Sequence, residues 1–95
     1  MQLDPEGFET AALSAIDLNG RRVLEVGCGD GRLTRRYAAR ADEVLAIDPD
    51  AAALGRFRAG MPSTLRSHVN TLTGTLATLG QPDGSFDVVL FAWSL

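Results

Sequence analysis

Residues 23–31 read VLEVGCGDG, an apolar run that passes directly into three glycines at alternate positions, Gly27, Gly29 and Gly31. An apolar run that ends in glycines is typical of a β-strand followed by a tight loop. Glycine lacks a Cβ, so it accepts positive φ angles and lets a ligand come close to the backbone. We therefore predict a strand over residues 22–26 that leads into a ligand-binding loop.

The segment after the loop repeats the pattern of an α/β protein. Leu33 and Tyr37 stand among arginines and predict a helix of about ten residues. A second apolar run, residues 44–47, ends at Asp48. Strand, glycine turn, helix and strand make a βαβ unit, in which the two strands are parallel and the crossover is right-handed.

Three further elements follow. Asp50 is a suitable N-cap for an alanine-rich helix over residues 51–59, which Gly60 ends. Residues 69–73 are rich in threonine and predict an edge strand. Residues 86–93 are the most hydrophobic run and do not alternate from Val88 onward, which predicts a strand covered on both faces. The sequence also predicts an amphipathic helix at 5–17 and a turn at 82–84.

Composition limits the classes of function. The chain has 95 residues, 45% of them hydrophobic, a size that suits one modest domain. A net charge of -3 argues against nucleic-acid or anionic-membrane binding. A single cysteine excludes an internal disulfide and, with the acidic start and the absence of an apolar span, predicts a cytoplasmic protein. The four arginines of the first helix predict a solvated face: Arg32, Arg35, Arg36 and Arg40.

Asp48 strengthens the prediction of a ligand site. It lies at the end of the second strand, and the carboxyl ends of neighbouring parallel strands meet at one crevice. The glycine loop and this carboxylate should therefore lie together, and a carboxylate can accept hydrogen bonds from both hydroxyls of a ribose. These features predict a nucleotide-type crevice.

Three blocks in this order resemble the class I S-adenosylmethionine-dependent methyltransferases, especially those that act on small molecules. The blocks are residues 23–34, 44–50 and 82–89, with the glycine motif, the Asp48 segment and the approach to strand four. A nicotinamide dinucleotide site is the alternative at this loop. Its fingerprint requires glycine or alanine at the sixth position, where this chain has Arg32, so the sequence favours adenosylmethionine.

The resemblance implies a role for each residue of the site. The backbone from Gly27 to Gly31, with Cys28 inside it, would hold the methionine and ribose part of S-adenosylmethionine. Glu25 would orient the loop and help to receive the amino group, Asp48 would bind the ribose hydroxyls and Pro49 would lie against the adenine.

The third strand departs from the family pattern. Where members usually have an acidic residue after a glycine, this chain has Gly74 and Thr75. Thr75 could offer its hydroxyl to the adenine and Leu76 an apolar wall, while Trp93 follows strand four, where members often line the methyl-transfer pocket. We predict no catalytic base: small size explains Cys28, and His68 is expected at the surface.

The resemblance also implies the architecture, a Rossmann-like three-layer α/β sandwich with a partial parallel sheet in the order 3-2-1-4. We expect residues 1–20 to form a leading helix and residues 21–95 the cofactor-binding βαβαβ core, truncated after strand four. That strand would then be an exposed edge, through which residues 86–93 could form a homodimer. The predicted function is methyl transfer to a small-molecule acceptor; the alternative is a non-catalytic interaction module with an incomplete site.

Overall fold

The structure is a computed structural model that describes residues 17–80 and 85–92. Four strands and four helices follow one another along it, and two of the helices stand between the second and third strands. In chain order they are β1 (Arg22–Val26), α1 (Thr34–Tyr37), β2 (Glu43–Asp48), α2 (Ala51–Gly60), α3 (Ser63–Arg66), β3 (Val69–Thr73), α4 (Leu76–Leu79) and β4 (Val88–Phe91).

The four strands form one parallel sheet in the order β3-β2-β1-β4, which confirms the predicted order. The register pairs Val23 with Val44 and with Val88. Val44 in turn pairs with Val69. The carboxyl ends of β1 and β2 therefore lie side by side, and the glycine loop and Asp48 leave the sheet at the same edge.

A buried cluster lies against one face of this sheet, while Leu24 and Ile47, whose side chains alternate to the other face, are buried as well. Side chains alternate along a strand, so the register places Val23, Val44 and Val69 on the same face. They belong to one buried cluster with Tyr37 of α1 and Phe57 of α2. The helices after β1 and β2 thus both pack on the face that right-handed crossovers require.

The helix after the glycine loop is shorter than predicted. It covers only Thr34–Tyr37, because the backbone then tightens into turns in which Arg40 donates to the Tyr37 carbonyl and Ala41 to the Ala38 carbonyl. These turns bring Asp42 back to the start of the sheet, where its N–H donates to the Arg21 carbonyl at 2.9 Å. The four arginines predicted on a solvated face are all exposed.

The prediction for β4 was correct in one respect and wrong in another. The strand is at the edge of the described sheet. It is not covered on both faces: Val88 and Leu90 pack against the core, whereas Val89 is 45% and Phe91 59% exposed. A continuous apolar sequence therefore forms a strand with one packed face and one exposed face.

Three predictions fall outside the described residues: the helix at 5–17, the turn at 82–84 and the position of Trp93. Within the described ranges, no helix is long and apolar enough to span a lipid bilayer.

Candidate cofactor-binding site

The glycine loop turns sharply because its three glycines all have positive φ, at 80° for Gly27, 56° for Gly29 and 88° for Gly31. The turn is closed by the N–H of Gly31, which donates to the Cys28 carbonyl at 3.1 Å. The N–H groups of Gly27 and Cys28 both donate to the Ile47 carbonyl at the end of β2. Residues with a Cβ adopt such φ angles only at a cost in free energy, so the backbone conformation of this turn favours glycine at all three positions.

Asp48 and the loop meet as predicted. Its Oδ2 accepts a 2.9 Å hydrogen bond from the N–H of Gly29, the middle glycine, and its Oδ1 accepts a 2.8 Å bond from the N–H of Asp50. Only 7% of Asp48 is exposed. The carboxylate thus fixes the loop to the end of β2 and to the start of α2.

Asp50 caps α2 as predicted. Its Oδ1 accepts hydrogen bonds from the N–H groups of Ala52 and Ala53, two of the donors that the first turn of a helix leaves unsatisfied. Pro49, between the two aspartates, is exposed beside the loop. The position is accessible to a flat ligand group, as the predicted adenine contact requires.

Glu25 is completely buried and points toward α1. Its Oε1 accepts hydrogen bonds from the Thr34 hydroxyl at 2.8 Å and from the Tyr37 hydroxyl at 2.6 Å. Glu25 precedes the loop, and the two hydroxyls follow it on the first turn of α1. These bonds therefore hold the two ends of the loop together, which agrees with the orienting part of the predicted role.

Two of the glycines also make room for neighbouring groups. A Cβ on Gly31 would lie 2.7 Å from Cδ2 of Phe57, and a Cβ on Gly27 would lie 2.8 Å from the Ala92 carbonyl oxygen. Atoms at these separations overlap. The sequence predicted that the space beside Gly31 would admit a ligand. In the structure, the ring of Phe57 occupies the position that a Cβ of Gly31 would take.

Cys28 is 5% exposed, and its Sγ lies 3.8 Å from the Gly29 carbonyl oxygen. Burial, followed by the negative charges of Glu25 and Asp48, raises the pKa of this thiol to about 12. The thiolate is the nucleophilic form of cysteine, so the thiol is unreactive at neutral pH. This chemistry agrees with a packing role.

The end of β3 lies against the same crevice. The N–H of Gly74 donates to the Asp48 carbonyl at 3.0 Å, which places Thr75 and Leu76 immediately beyond the end of β2. Thr75 is the N-cap of α4: its N–H donates to Thr78 Oγ1 at 2.9 Å. The Thr75 side chain is also engaged in this capping box, while Leu76 is 48% exposed.

The remaining candidates serve the fold. His68 is half-buried and its Nε2 lies 2.8 Å from the Ala38 carbonyl oxygen, so the ring links the turn after α1 to the start of β3. Asp87 accepts a 2.9 Å bond from the N–H of Arg22 and joins the entrances of β4 and β1.

Sequence reasoning missed three residues that shape the site: Thr34, Tyr37 and Phe57. A polar pair three positions apart on the first helix does carry a signal, because such residues share a helix face and can serve one buried carboxylate. The glycine motif gives no such signal for Phe57. Its contact with Gly31 joins residues 26 positions apart and exists only after α2 has packed on the sheet.

Comparison with known proteins agrees with this geometry. Residues 23–95 match the family model of a methyltransferase domain. An uncharacterised methyltransferase of Mycobacterium tuberculosis is 40% identical over 72 residues, which cover 76% of this chain and 28% of that protein. The chain therefore spans less than a third of that relative's length.

Two solved structures extend the comparison. A S-adenosylmethionine-dependent methyltransferase from Mesorhizobium loti is 28% identical, with a TM-score of 0.73, over 92% of this chain and 39% of that one. The phosphoethanolamine N-methyltransferase 1 of Haemonchus contortus, in complex with phosphoethanolamine and S-adenosylhomocysteine, is 26% identical with a TM-score of 0.76, over 96% of this chain and 20% of that one. Family model, sequence relatives and sheet order agree, and the chain belongs to the class I S-adenosylmethionine-dependent methyltransferases.

Proposed function

We propose that this chain binds S-adenosylmethionine at the carboxyl edge of β1 and β2 and supplies the cofactor-binding part of an enzyme that methylates a small-molecule acceptor. The observation that carries the proposal is the bond from the N–H of Gly29 to Asp48, which brings the glycine loop and the ribose-binding candidate to one crevice.

The chemistry of Asp48 fits a ribose. A carboxylate offers about four lone-pair positions on its two oxygens, and the bonds from Gly29 and Asp50 use one position on each oxygen. Each oxygen can accept one further bond from a hydroxyl. A vicinal diol presents two such hydroxyls, so the ribose of the cofactor suits the capacity that remains.

The other residues of the site are proposed to contact different parts of the cofactor. The backbone of the glycine loop receives the methionine part, and Pro49 supports the adenine, with Thr75 and Leu76 near its edge. Glu25 acts by fixing the loop, because its complete burial favours this part of its expected role over direct contact with the amino group. Trp93 is proposed to line the side from which the acceptor approaches.

When bound, the cofactor supplies an activated methyl group on its sulfonium sulfur. The contribution of the chain is to hold that group in a fixed place, since alignment of nucleophile, methyl carbon and sulfur accounts for much of the rate in such reactions. We assign no general base. The raised pKa of the Cys28 thiol disfavours covalent catalysis by the cysteine of the glycine loop.

A small-molecule acceptor and a cytoplasmic location complete the proposal. The net charge of -3 disfavours a polyanionic acceptor such as RNA. The Haemonchus contortus phosphoethanolamine N-methyltransferase 1, in complex with phosphoethanolamine and S-adenosylhomocysteine, is an example of a similar protein with a small acceptor. The competing function is an interaction module that has the fold but binds no cofactor.

Titration calorimetry with S-adenosylhomocysteine tests the cofactor site. We expect saturable binding by the 95-residue chain, and loss of binding in Asp48→Ala. Since Asp48 also fixes the loop, Asp48→Asn is a milder variant that keeps the size of the side chain; we expect it to weaken binding about tenfold, the typical effect of a lost charged hydrogen bond.

Asp42→Asn is the matched control. It removes the same charge from an exposed aspartate at the opposite end of β2. It should bind as the natural chain does. A folded protein that gives no heat with S-adenosylhomocysteine would contradict the cofactor site and support the interaction module, and tighter binding of NAD than of S-adenosylhomocysteine would support the nicotinamide alternative.

A further inference from the structure

A second polar concavity lies away from the cofactor crevice, beside the edge strand β3. It is an open groove of about 480 Å³ between the C-terminal half of α2, α3 and β3. Its floor consists of Phe57, Met61 and Val69, each at most 9% exposed, and its rim carries the side chains of Arg58, Arg66 and Thr71. A ligand in this groove would therefore meet mainly the polar rim.

Both arginines of the rim are held in place by the fold. Nη1 of Arg58 donates to Thr71 Oγ1 at 2.8 Å. Arg66 donates from Nε to the Met61 carbonyl at 3.0 Å and from Nη2 to the Arg58 carbonyl at 3.2 Å. A guanidinium has five N–H donors, so each arginine retains donors after these bonds. Fixed guanidinium groups lose less side-chain entropy when they bind a ligand.

The electrostatics of this part of the chain favour an anion. Residues 51–80 contain three arginines, Arg56, Arg58 and Arg66, and no aspartate or glutamate. In the described ranges, the ion pair found joins Arg22 to Glu43, at the start of β1 and β2 rather than at the groove. The groove is thus positively charged in a chain whose net charge is negative.

We propose that this groove is a binding site for a small phosphate-bearing ligand. A guanidinium binds oxyanions through paired N–H donors, and two guanidinium cations match the two negative charges of a phosphate better than the single charge of a carboxylate. The polar rim stands apart from the cofactor crevice, because Val69 pairs with Val44 at the start of β2, whereas Asp48 lies at its end; Phe57 of the floor also packs beside Gly31.

Nuclear magnetic resonance titration of the full chain with inorganic phosphate tests the proposal. At constant ionic strength we expect saturable shifts in the backbone amides of Asn70 and Thr71, and weaker binding of acetate. Arg58→Gln should raise the dissociation constant for phosphate by about tenfold, as expected for the loss of a charged hydrogen-bond donor.

Arg56→Gln is the matched control, because it removes the same charge from an exposed position of the same helix that does not line the groove. It should bind phosphate as the natural chain does. Thr71→Val keeps both arginines and the shape of the strand residue but releases Arg58; a severalfold loss of affinity is expected.

Several outcomes would overturn the site. They are the absence of saturation, equal losses in Arg56→Gln and Arg58→Gln, equal affinity for acetate and phosphate, or shifts confined to the glycine loop. The site is independent of the proposed cofactor function, and Asp48→Asn should leave phosphate binding unchanged even where it weakens binding of S-adenosylhomocysteine.

Discussion

The Tyr37 hydroxyl donates a 2.6 Å hydrogen bond to Oε1 of Glu25, and both side chains are fully buried. The bond connects the end of β1 to α1 across the glycine loop. It lies in a region of low dielectric, where a hydrogen bond to a carboxylate is strong and an unsatisfied one is costly. Burial, followed by the charge of Glu25, raises the pKa of the Tyr37 hydroxyl, so the phenol remains a donor.

Tyr37→Phe removes this donor without changing the ring. We expect the free energy of unfolding to fall by about 2 kcal/mol, the usual effect of losing a hydrogen bond to a buried charged group. Chemical denaturation measures the loss. In a double-mutant cycle with Glu25→Gln, the two changes should be strongly non-additive, because they share one bond. Additive losses would show that the two side chains act independently.

Gly31→Ala tests the contact with Phe57. The new methyl group would meet the ring at 2.7 Å, at a φ of 88°, so strain of the backbone and steric overlap act together. Gly20→Ala is the control, with a φ of 70° and no atom within 4 Å. We expect Gly20→Ala to lose about 1 kcal/mol from backbone strain alone and Gly31→Ala to lose more, by denaturation.

A smaller side chain at position 57 should reveal the same contact. Phe57→Leu is destabilising by itself because it leaves space in the core, but it should reduce the additional loss caused by Gly31→Ala. Equal losses from Gly31→Ala in both backgrounds would mean that Phe57 does not determine the need for glycine there.

The Cys28 thiol should resist alkylation in the folded protein. Its pKa of about 12 leaves very little thiolate at pH 8, whereas an unfolded cysteine has a pKa of about 8.5. Iodoacetamide should therefore react slowly with the native chain and rapidly in denaturant. The chain has a single cysteine, so the rate reports this site alone. Equal rates in the two states would contradict the buried environment.

The same shift predicts how stability depends on pH. The folded state keeps the proton of Cys28 at a pH where the unfolded state has lost it, so the unfolded form is favoured as pH rises from about 9 toward 12. The free energy of unfolding should fall across this range, and Tyr37, whose pKa is also raised, adds to the loss at its upper end. Cys28→Ser should make the decline less steep.

We also predict self-association through β4. Val89 and Phe91 are exposed on a strand at the edge of the described sheet, and such an edge can pair with a second copy. Sedimentation should show a concentration-dependent dimer that Phe91→Lys disrupts. Leu76→Lys is the control, since Leu76 is similarly exposed but lies on α4. A monomer at every concentration would rule the dimer out.

Much of this fold was predictable because its signals are local. The apolar runs gave β1 and β2 nearly to the residue, the threonine-rich segment 69–73 matched β3, and Asp50 was identified as an N-cap from its place before an alanine-rich helix. Strand formation and capping depend on neighbouring residues in the chain, so the sequence is sufficient for them.

The length of α1 and the exposure of β4 were not predictable in this way. The length of α1 depends on where the chain must turn to bring Asp42 beside Arg21. The exposure of β4 depends on which elements pack against that strand in the folded sheet. An apolar run has the same sequence whether one face or both are covered. Its environment is a property of the assembled sheet.

The candidate site shows the same difference between features set by local sequence and features set by tertiary packing. The sequence by itself determined the three glycines, the Asp48 carboxylate and their meeting at the end of two parallel strands, because backbone sterics and strand polarity dictate that arrangement. Only the tertiary structure decided that Thr34 and Tyr37 donate hydrogen bonds to Glu25 and that Phe57 fills the space beside Gly31. Such contacts depend on how helices pack against a sheet, and the spacing of residues in a sequence does not specify that packing.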